Sequence, residues 1–163
     1  MTTTTQTTLA APQLRHLCDL AVSVSPPIEA GNVTGLNSRG RRRIIPITGG
    51  TVTGRINGKV VPAGADFQIV VSDTCADLDA QYMLELDSGH HVFVKNRAIR
   101  RASAEEVARL VSGLPVDPNR VYFRCVPTFE VSDPELKWMT ESVFIGTAAR
   151  APDGVFLSFY EVL

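Results

Sequence analysis

Apolar and polar residues alternate along most of this chain with the period of two that is typical of β-strands with one face toward water. The clearest case is the segment DLDAQYMLELD, residues 77–87. Its polar face is broken only by Met83, and its other face carries Leu78, Ala80, Tyr82, Leu84 and Leu86. A turn at Asp87-Ser88-Gly89 then leads into residues 90–99, which we expect to form the partner strand.

The same alternation, bounded by glycines and prolines, predicts further strands at residues 14–24, 43–56, 59–64, 66–72, 120–131, 142–149 and 154–163. Residues 31–41 hold three glycines and two asparagines, so we expect a loop there. Asn57-Gly58 lies between two apolar runs and indicates a hairpin, since both residues tolerate the positive φ of a type I′ turn.

One helix is predicted by its cap residues. Ser103 is a favourable N-cap, and Glu106 three residues later completes a capping box. Gly113 ends the helix, whose apolar stripe consists of Val107, Leu110 and Val111. Because the helix is short, we expect it to lie across one mouth of the sheet.

Eight to ten short strands with one small helix predict a mostly β fold. We expect a single-domain antiparallel β-barrel over residues 14–163, calycin- or lipocalin-like in appearance. Strands and helices do not alternate, which argues against a parallel α/β sheet. Residues 1–13 are rich in threonine, and we expect them to be a disordered tail.

The stretch RRRIIPITGGTVTG, residues 41–54, raises the question of a phosphate-binding loop. A dinucleotide loop needs GxGxxG leading from a strand into a helix, whereas here the spacing differs and a strand follows. We therefore expect Gly49-Gly50 to bend a long strand. We also expect Thr48, Gly49 and Gly50 to let a ligand approach the backbone closely.

Composition narrows the classes of partner. The chain has 163 residues and a formal net charge of −1, which argues against nucleic acid or an anionic membrane as partner. The basic run at residues 39–43 contains no aromatic residue that could stack on bases. Three widely spaced cysteines without a CxxC pair favour a cytoplasmic protein. The sequence contains no metal or nucleotide motif, so we expect no cofactor.

Several motifs occur in order along the chain: IPITGG with TxxG, NGKVxPxGAD, LDAQYMLELDSG, NRAIRRA, YFRCVPTFEVSDPELKWM and FIGT. Together they resemble the domain of unknown function 3237 family over residues 14–163. The resemblance implies a small antiparallel β-barrel and no general assigned reaction. At the positions of Ala63, Phe67 and Ala98, many members of that family have glycine, tryptophan and glycine, respectively. We expect these differences to alter the pocket walls and a turn.

Polar residues inside apolar strands are the candidates for a binding pocket. Arg124 lies in VYFRCV and shares a strand face with Tyr122, and an arginine buried there needs a partner or an anionic ligand. Tyr82 lies in the apolar row of its strand, and Asn96 follows Val92 and Val94 on one face of the next. We expect these four polar side chains to converge inside the barrel. The alternative is an internally satisfied network.

Three further residues complete the candidate site. Asp66 opens a strand directly after two small residues, and Trp138 lies on a helical turn expected to cap an opening. Arg43 is the member of the basic run that we expect to reach the pocket rim. Adjacent His90 and His91 point to opposite strand faces and cannot chelate one ion together.

We consider three functions. The first is a cofactor-free enzyme that transfers protons during isomerisation, cyclisation or addition and elimination on an oxygenated aromatic or polyketide-like metabolite. Asp66 would be the general base, and Arg124 or Tyr82 would stabilise negative charge on oxygen. A contact between Asp66 and Arg124 would lower the carboxyl pKa and make Tyr82 or His91 the next candidate. The second is a non-catalytic carrier of a small ligand. The third is a structural protein with Phe156, Phe159 and Tyr160 in a homodimer face.

Overall fold

The computed structural model describes residues 9–152 and 154–163, which form nine strands, one α-helix and two 3-10 turns. The helix α1 spans Ala104–Val111, and the 3-10 turns span Pro118–Arg120 and Pro134–Thr140. The strands are β1 Leu14–Val24, β2 Ile28–Thr34, β3 Arg39–Gly54, β4 Gly58–Ser72, β5 Cys75–Leu86, β6 His91–Arg101, β7 Tyr122–Val131, β8 Phe144–Ala151 and β9 Gly154–Val162.

Eight of the strands close into an antiparallel barrel, which confirms the predicted fold class. Neighbouring strands follow the order β1-β9-β8-β7-β6-β5-β4-β3, and β1 pairs back with β3 to close the ring. β2 lies outside this ring, paired with β3. The weakest seam is between β7 and β8, where only Arg124 with Thr147 and Cys125 with Gly146 are in register. Closure leaves β2 as the exposed edge in the described ranges.

Two segments differ from the predicted elements. Residues 31–41 were expected to form a loop, but most of them belong to β2 and to the start of β3. Pairing with β3 over six register positions overrides the loop-like composition. Residues 59–64 and 66–72, expected as two strands, form the single strand β4. The predicted turn residue Asp153 and residues 1–8 of the predicted tail lie outside the described residues.

The hairpin at Asn57-Gly58 is confirmed, but its predicted turn type is wrong. Among the described residues, positive φ angles occur at glycines alone, so Asn57 does not adopt the type I′ conformation. Its side chain instead bridges the backbone of Gly54, accepting from the N–H at 3.1 Å and donating to the carbonyl at 3.0 Å. The asparagine therefore closes this turn through its amide rather than through its backbone.

Gly49 and Gly50 lie in a bulge, as expected. The register between β3 and β4 shifts between Pro46 and Gly50, so β3 bends there. A Cβ on Gly50 would lie 2.2 Å from the carbonyl oxygen of Ala21. The close approach at Gly50 is therefore made by β1 and not by a ligand, whereas the expected ligand approach at Thr48 and Gly49 stays a prediction.

Aromatic side chains fill one end of the barrel. Phe129 packs edge-on against Phe144, with ring centroids 5.0 Å apart, and against Phe159 at 6.1 Å. Trp138, on the second 3-10 turn, packs on Phe144, and its ring faces the guanidinium of Arg55 at 4.4 Å. Because Phe159 is fully buried in this core, it cannot belong to the predicted homodimer face.

Helix α1 begins as predicted. The Ser103 side chain accepts a hydrogen bond from the Glu106 N–H. Glu106 is the helix's buried residue, and its carboxylate pairs with Arg120 at 2.7 Å. None of the helices in the described ranges is long and apolar enough to cross a membrane.

Candidate functional site

An internal cavity of about 50 Å³ lies at the end of the barrel opposite Trp138. Its walls come from the last residues of β1 and β6, the first residues of β7 and β9, and the parts of β3, β4, β5 and β8 beside them. Most of the lining is aliphatic, and Asp66, Gln68, Tyr82, Asn96, Arg100 and Arg150 supply the polar groups. By the same measure a water molecule needs at least about 10–15 Å³, so the space suits a few waters or part of a small ligand.

Strand register explains why the cavity exists at this level. Asp66 on β4 is the register partner of Ala80 on β5, and Ala80 is the partner of Asn96 on β6. The two polar side chains therefore flank an alanine, whose small side chain leaves space between them. Tyr82 follows Ala80 on the same face of β5 and extends the polar wall.

A short chain of hydrogen bonds holds the Asp66 carboxylate. The side-chain amide of Gln68 donates to Oδ2 at 2.6 Å, and the backbone N–H of Asp79 donates to Oδ1 at 3.2 Å. Arg43 in turn donates through Nε to Gln68 Oε1 at 3.0 Å. The orientation of the carboxylate is thus fixed by a buried arginine acting through a buried glutamine.

Burial raises the pKa of Asp66 above its ordinary value. The hydrogen bonds from Gln68 and Asp79 and the positive charges of Arg100 and Arg43 act in the opposite direction, but desolvation is the largest effect. A carboxylate with a raised pKa is a stronger base near neutral pH. Asp66 therefore has the electrostatic setting of a general base.

Two buried polar atoms in this wall lack a hydrogen-bond partner in the described part of the chain. They are Oη of Tyr82 and Oδ1 of Asn96, on side chains that are 3% exposed. Burial also raises the pKa of Tyr82 well above its ordinary value, so its hydroxyl stays protonated. Unsatisfied buried groups are rare in native proteins because each costs about 1–3 kcal/mol. A bound molecule with a hydrogen-bond donor and an acceptor would satisfy both.

Arg100, near the end of β6, lines the cavity and also the neighbouring space beside helix α1. Burial lowers the pKa of Arg100 to about 10, with the charges of Arg43 and Arg150 acting in the same direction and Asp66 against it. The guanidinium therefore remains positive at neutral pH.

Arg124 and Tyr122 do not belong to this site, and the expectation that they face the interior was wrong. Tyr122 and Arg124 are exposed on the outer wall of β7, and the inward side chains are Phe123, Cys125, Pro127 and Phe129. The Arg124 guanidinium lies over the Tyr122 ring at 5.3 Å and donates to the Phe123 carbonyl. An arginine on the outer face keeps its charge in water, so Arg124 needs no buried partner.

The other predicted ligand-binding residues on β3 and the second 3-10 turn lie outside the cavity. Trp138 caps the filled end of the barrel, away from the cavity. Thr48, Gly49 and Gly50 lie in the β3 bulge and are not among the residues that line it. Of the family differences expected to alter the pocket walls, Ala98 does line the cavity, whereas Phe67 is exposed. Tyr82, Asn96 and Asp66 are brought together as expected, and their roles stay predictions.

Sequence reasoning missed Gln68, Arg100 and Arg150. The signal for two of them was available, because extending the period of two from Asp66 reaches Gln68, and extending the row of Val92, Val94 and Asn96 reaches Arg100. No comparable signal marked Arg150, which lies near the end of β8.

A closed antiparallel barrel with a small, partly polar cavity at one end places this chain among the small antiparallel β-barrels. The chain belongs to a family described as protein of unknown function (DUF3237), whose model matches residues 12–162.

Relatives and solved structures agree with this assignment. The chain is 40% identical over 149 residues to a UPF0311 protein of Bradyrhizobium diazoefficiens, covering 91% of this chain and 95% of that one. A conserved protein of unknown function from Rhodopseudomonas palustris is similar in structure, with a TM-score of 0.87 and 37% identity over 96% of this chain and all of that chain. A β-barrel-like protein from Acinetobacter baumannii gives a TM-score of 0.82 and 36% identity over 97% of this chain and all of that one.

Proposed function

We propose that the barrel cavity binds an oxygenated small molecule, aromatic or polyketide-like, and catalyses proton transfer on it without a cofactor. The observation that carries the proposal is the pairing, in one cavity wall, of the partly buried Asp66 carboxylate with two buried polar atoms, Tyr82 Oη and Asn96 Oδ1, that lack a hydrogen-bond partner among the described residues. A raised carboxyl pKa supports the role of Asp66 as general base.

The proposed chemistry is enolisation next to a carbonyl group. The Asp66 carboxylate takes a proton from the carbon, and the electron pair of the C–H bond moves to the carbonyl oxygen. The Tyr82 hydroxyl donates a hydrogen bond to that oxygen and stabilises its negative charge. Protonated Asp66 then returns the proton to the same or a neighbouring carbon, which completes an isomerisation or prepares a ring closure.

Neighbouring groups prepare these residues for their roles. Gln68 and the Asp79 N–H occupy one site on each oxygen of Asp66, and a carboxylate has further lone pairs available for a proton. Arg100 supplies positive charge in the cavity wall, where it favours an enolate over the neutral ketone. Asn96 Oδ1 accepts from a hydroxyl group of the bound molecule.

Solvent-deuterium exchange tests this proposal with a panel of simple ketones in place of the natural substrate. Aryl ketones, 1,3-diketones and hydroxylated aromatic ketones are incubated with the protein in D₂O, and proton NMR follows the loss of signal from carbons next to the carbonyl. We expect catalysed exchange in at least one compound class. The Asp66→Asn variant should be about 10²–10⁴-fold slower, and Tyr82→Phe about 10²-fold slower.

Asp87→Asn is the matched control, because Asp87 is an exposed acid in the turn after β5 and should exchange deuterium at the wild-type rate. Exchange at the buffer rate with every compound would contradict the catalytic part of the proposal. Compounds that then still raise the melting temperature would identify the barrel as a carrier. Loss of exchange in Asp87→Asn equal to that in Asp66→Asn would contradict the assigned base.

A further inference from the structure

A second compartment adjoins the cavity on its outer side. This vestibule, of about 190 Å³, lies between the barrel mouth and helix α1. Ile45, Arg100 and Arg150 line both the cavity and the vestibule, so the two spaces meet at these residues. A ligand that enters the cavity from the helix side passes them.

The vestibule carries more positive than negative charge. Arg41, Arg43, Arg100 and Arg150 contribute to its walls, and Glu29 is the acid among its lining residues. Glu29 is shared, since its two oxygens lie 3.8 Å from Arg41 Nε and 3.9 Å from Arg43 Nη1. Asp66 adds a second negative charge from the cavity side.

In the described chain Glu29 forms no ion pair with Arg100. Across the described residues Arg100 has no hydrogen bond and no ion pair, and its guanidinium carbon lies 6.0 Å from the centre of the Phe123 ring. A partly buried arginine without an anion gives up hydration and gains little in return. Within the described chain, Arg100 therefore has the distant charge of Asp66 but no anion in direct contact at the place where the two compartments meet.

The side of the vestibule that helix α1 contributes is apolar. Val107, Leu110 and Val111 of α1 face the vestibule, and Val111 is 65% exposed. The helix buries only Glu106 fully, so its apolar stripe is incompletely covered by the protein itself. An apolar ligand segment would cover this stripe.

We infer that the vestibule is a carboxylate-binding subsite, and that the ligand of this barrel is an apolar or aromatic acid whose carboxylate pairs with Arg100. The carboxylate accepts bidentate hydrogen bonds from the guanidinium, and the apolar body packs between α1 and the cavity mouth. This inference rests on the proposed function, because it places the other end of the same ligand in the cavity.

The test compares two probes that differ in charge: 2-naphthoate and its uncharged amide, 2-naphthamide. Binding of each is measured by isothermal titration calorimetry to the wild type, Arg100→Met and Arg97→Met. Arg97 is the matched control because it lies on the same strand, faces outward and pairs with Asp77. We expect 2-naphthoate to bind about tenfold more tightly than the amide. Arg100→Met should abolish this difference, and Arg97→Met should keep it.

Three results would overturn the carboxylate subsite: equal affinity of the two probes for the wild type, equal losses in both arginine variants, or no binding of 2-naphthoate. An Ala80→Leu variant, which fills the cavity between Asp66 and Asn96, separates this inference from the proposed function. If the wild type prefers 2-naphthoate and Ala80→Leu binds both probes as tightly as the wild type does, the ligand lies in the vestibule alone. That result would contradict the cavity site. If the wild type binds the two probes equally tightly and Ala80→Leu binds both more weakly, the cavity site is supported and the carboxylate subsite is overturned.

Discussion

Asp66 is subject to opposing influences of burial, hydrogen bonding and nearby positive charge. Two donors and two arginines favour its ionised form, and loss of water disfavours it. Desolvation is the largest of these effects, so the folded protein holds the proton to a higher pH than the unfolded chain does. The sequence raised the concern that an arginine contact would lower this pKa. The arginine concerned, Arg124, lies outside the barrel.

This balance predicts the pH dependence of stability. Below the pKa of the unfolded chain, about 3.9, Asp66 is protonated in both states and has no effect. As the pH rises toward the higher folded-state pKa, the unfolded state ionises first and the wild type loses stability, by at most about 1.4 kcal/mol per pH unit. The free energy of unfolding of Asp66→Asn minus that of the wild type should therefore rise with pH above about 3.9 and then level off.

Urea denaturation of both proteins between pH 3 and pH 8 measures this difference. Replacing the carboxylate by an amide beside Gln68 and Asp79 also has a cost that does not depend on pH. That cost shifts the whole curve and leaves its slope against pH unchanged. Asp87→Asn provides a comparison for an exposed acid, and its difference from the wild type should change little over the same range. A difference for Asp66→Asn that falls as pH rises would mean that attraction to the arginines exceeds desolvation.

At the residue scale, the sequence identified part of the site. The period of two placed Tyr82 and Asn96 on interior faces, because each belongs to a row of apolar neighbours. The same period gave two apolar faces for β7, one with Tyr122 and Val126 and one with Phe123 and Cys125. Alternation alone cannot say which of two apolar faces is buried, and the structure buries the face with Phe123.

Strand β3 is the element in which local sequence and closure of the barrel depend on each other most directly. Its bulge at Gly49 and Gly50 bends the strand so that it can pair with both β4 and β1. Both glycines have φ angles that other residues rarely adopt, 140° and 145°. They differ in their surroundings, since Gly50 meets the Ala21 carbonyl and Gly49 has only Val60 O, at 3.8 Å.

Alanine substitutions at the two positions should therefore separate backbone strain from steric exclusion. Gly49→Ala carries the strain alone, which costs about 1–3 kcal/mol. Gly50→Ala adds a clash with β1 and should lower the free energy of unfolding by at least about 2 kcal/mol more. Urea midpoints of the two variants test this order, and equal losses would contradict the close β1 contact.

The elements themselves were predictable to different degrees. Helix α1 was predicted from its capping box, a local signal that needs no tertiary information. β2 was missed because its glycine and asparagine content is typical of loops and its strand pairing depends on β3. Local chemistry determines helix ends and turns, whereas an edge strand is stabilised by a partner that is distant along the sequence.

At the scale of the whole molecule, the two ends of the barrel serve different purposes. Aromatic residues on β7, β8 and β9 and on the second 3-10 turn fill one end, and the other retains a mostly aliphatic cavity with a few polar groups, next to the vestibule that α1 covers. The sequence indicated a barrel and a cap containing Trp138, but it could not place that cap at a particular end. That placement depends on the order of strands around the ring.

The central claim is that a small molecule binds inside the end of the barrel lined by Asp66, Tyr82 and Asn96. Two-dimensional ¹⁵N NMR tests it directly, by titration with a compound that raises the melting temperature. We predict that the side-chain amide signals of Asn96 and Gln68 shift with saturation, while the indole N–H of Trp138 at the filled end stays unchanged. Shifts of the Trp138 indole or of outer-wall residues such as Val126, with Asn96 and Gln68 unmoved, would contradict the claim.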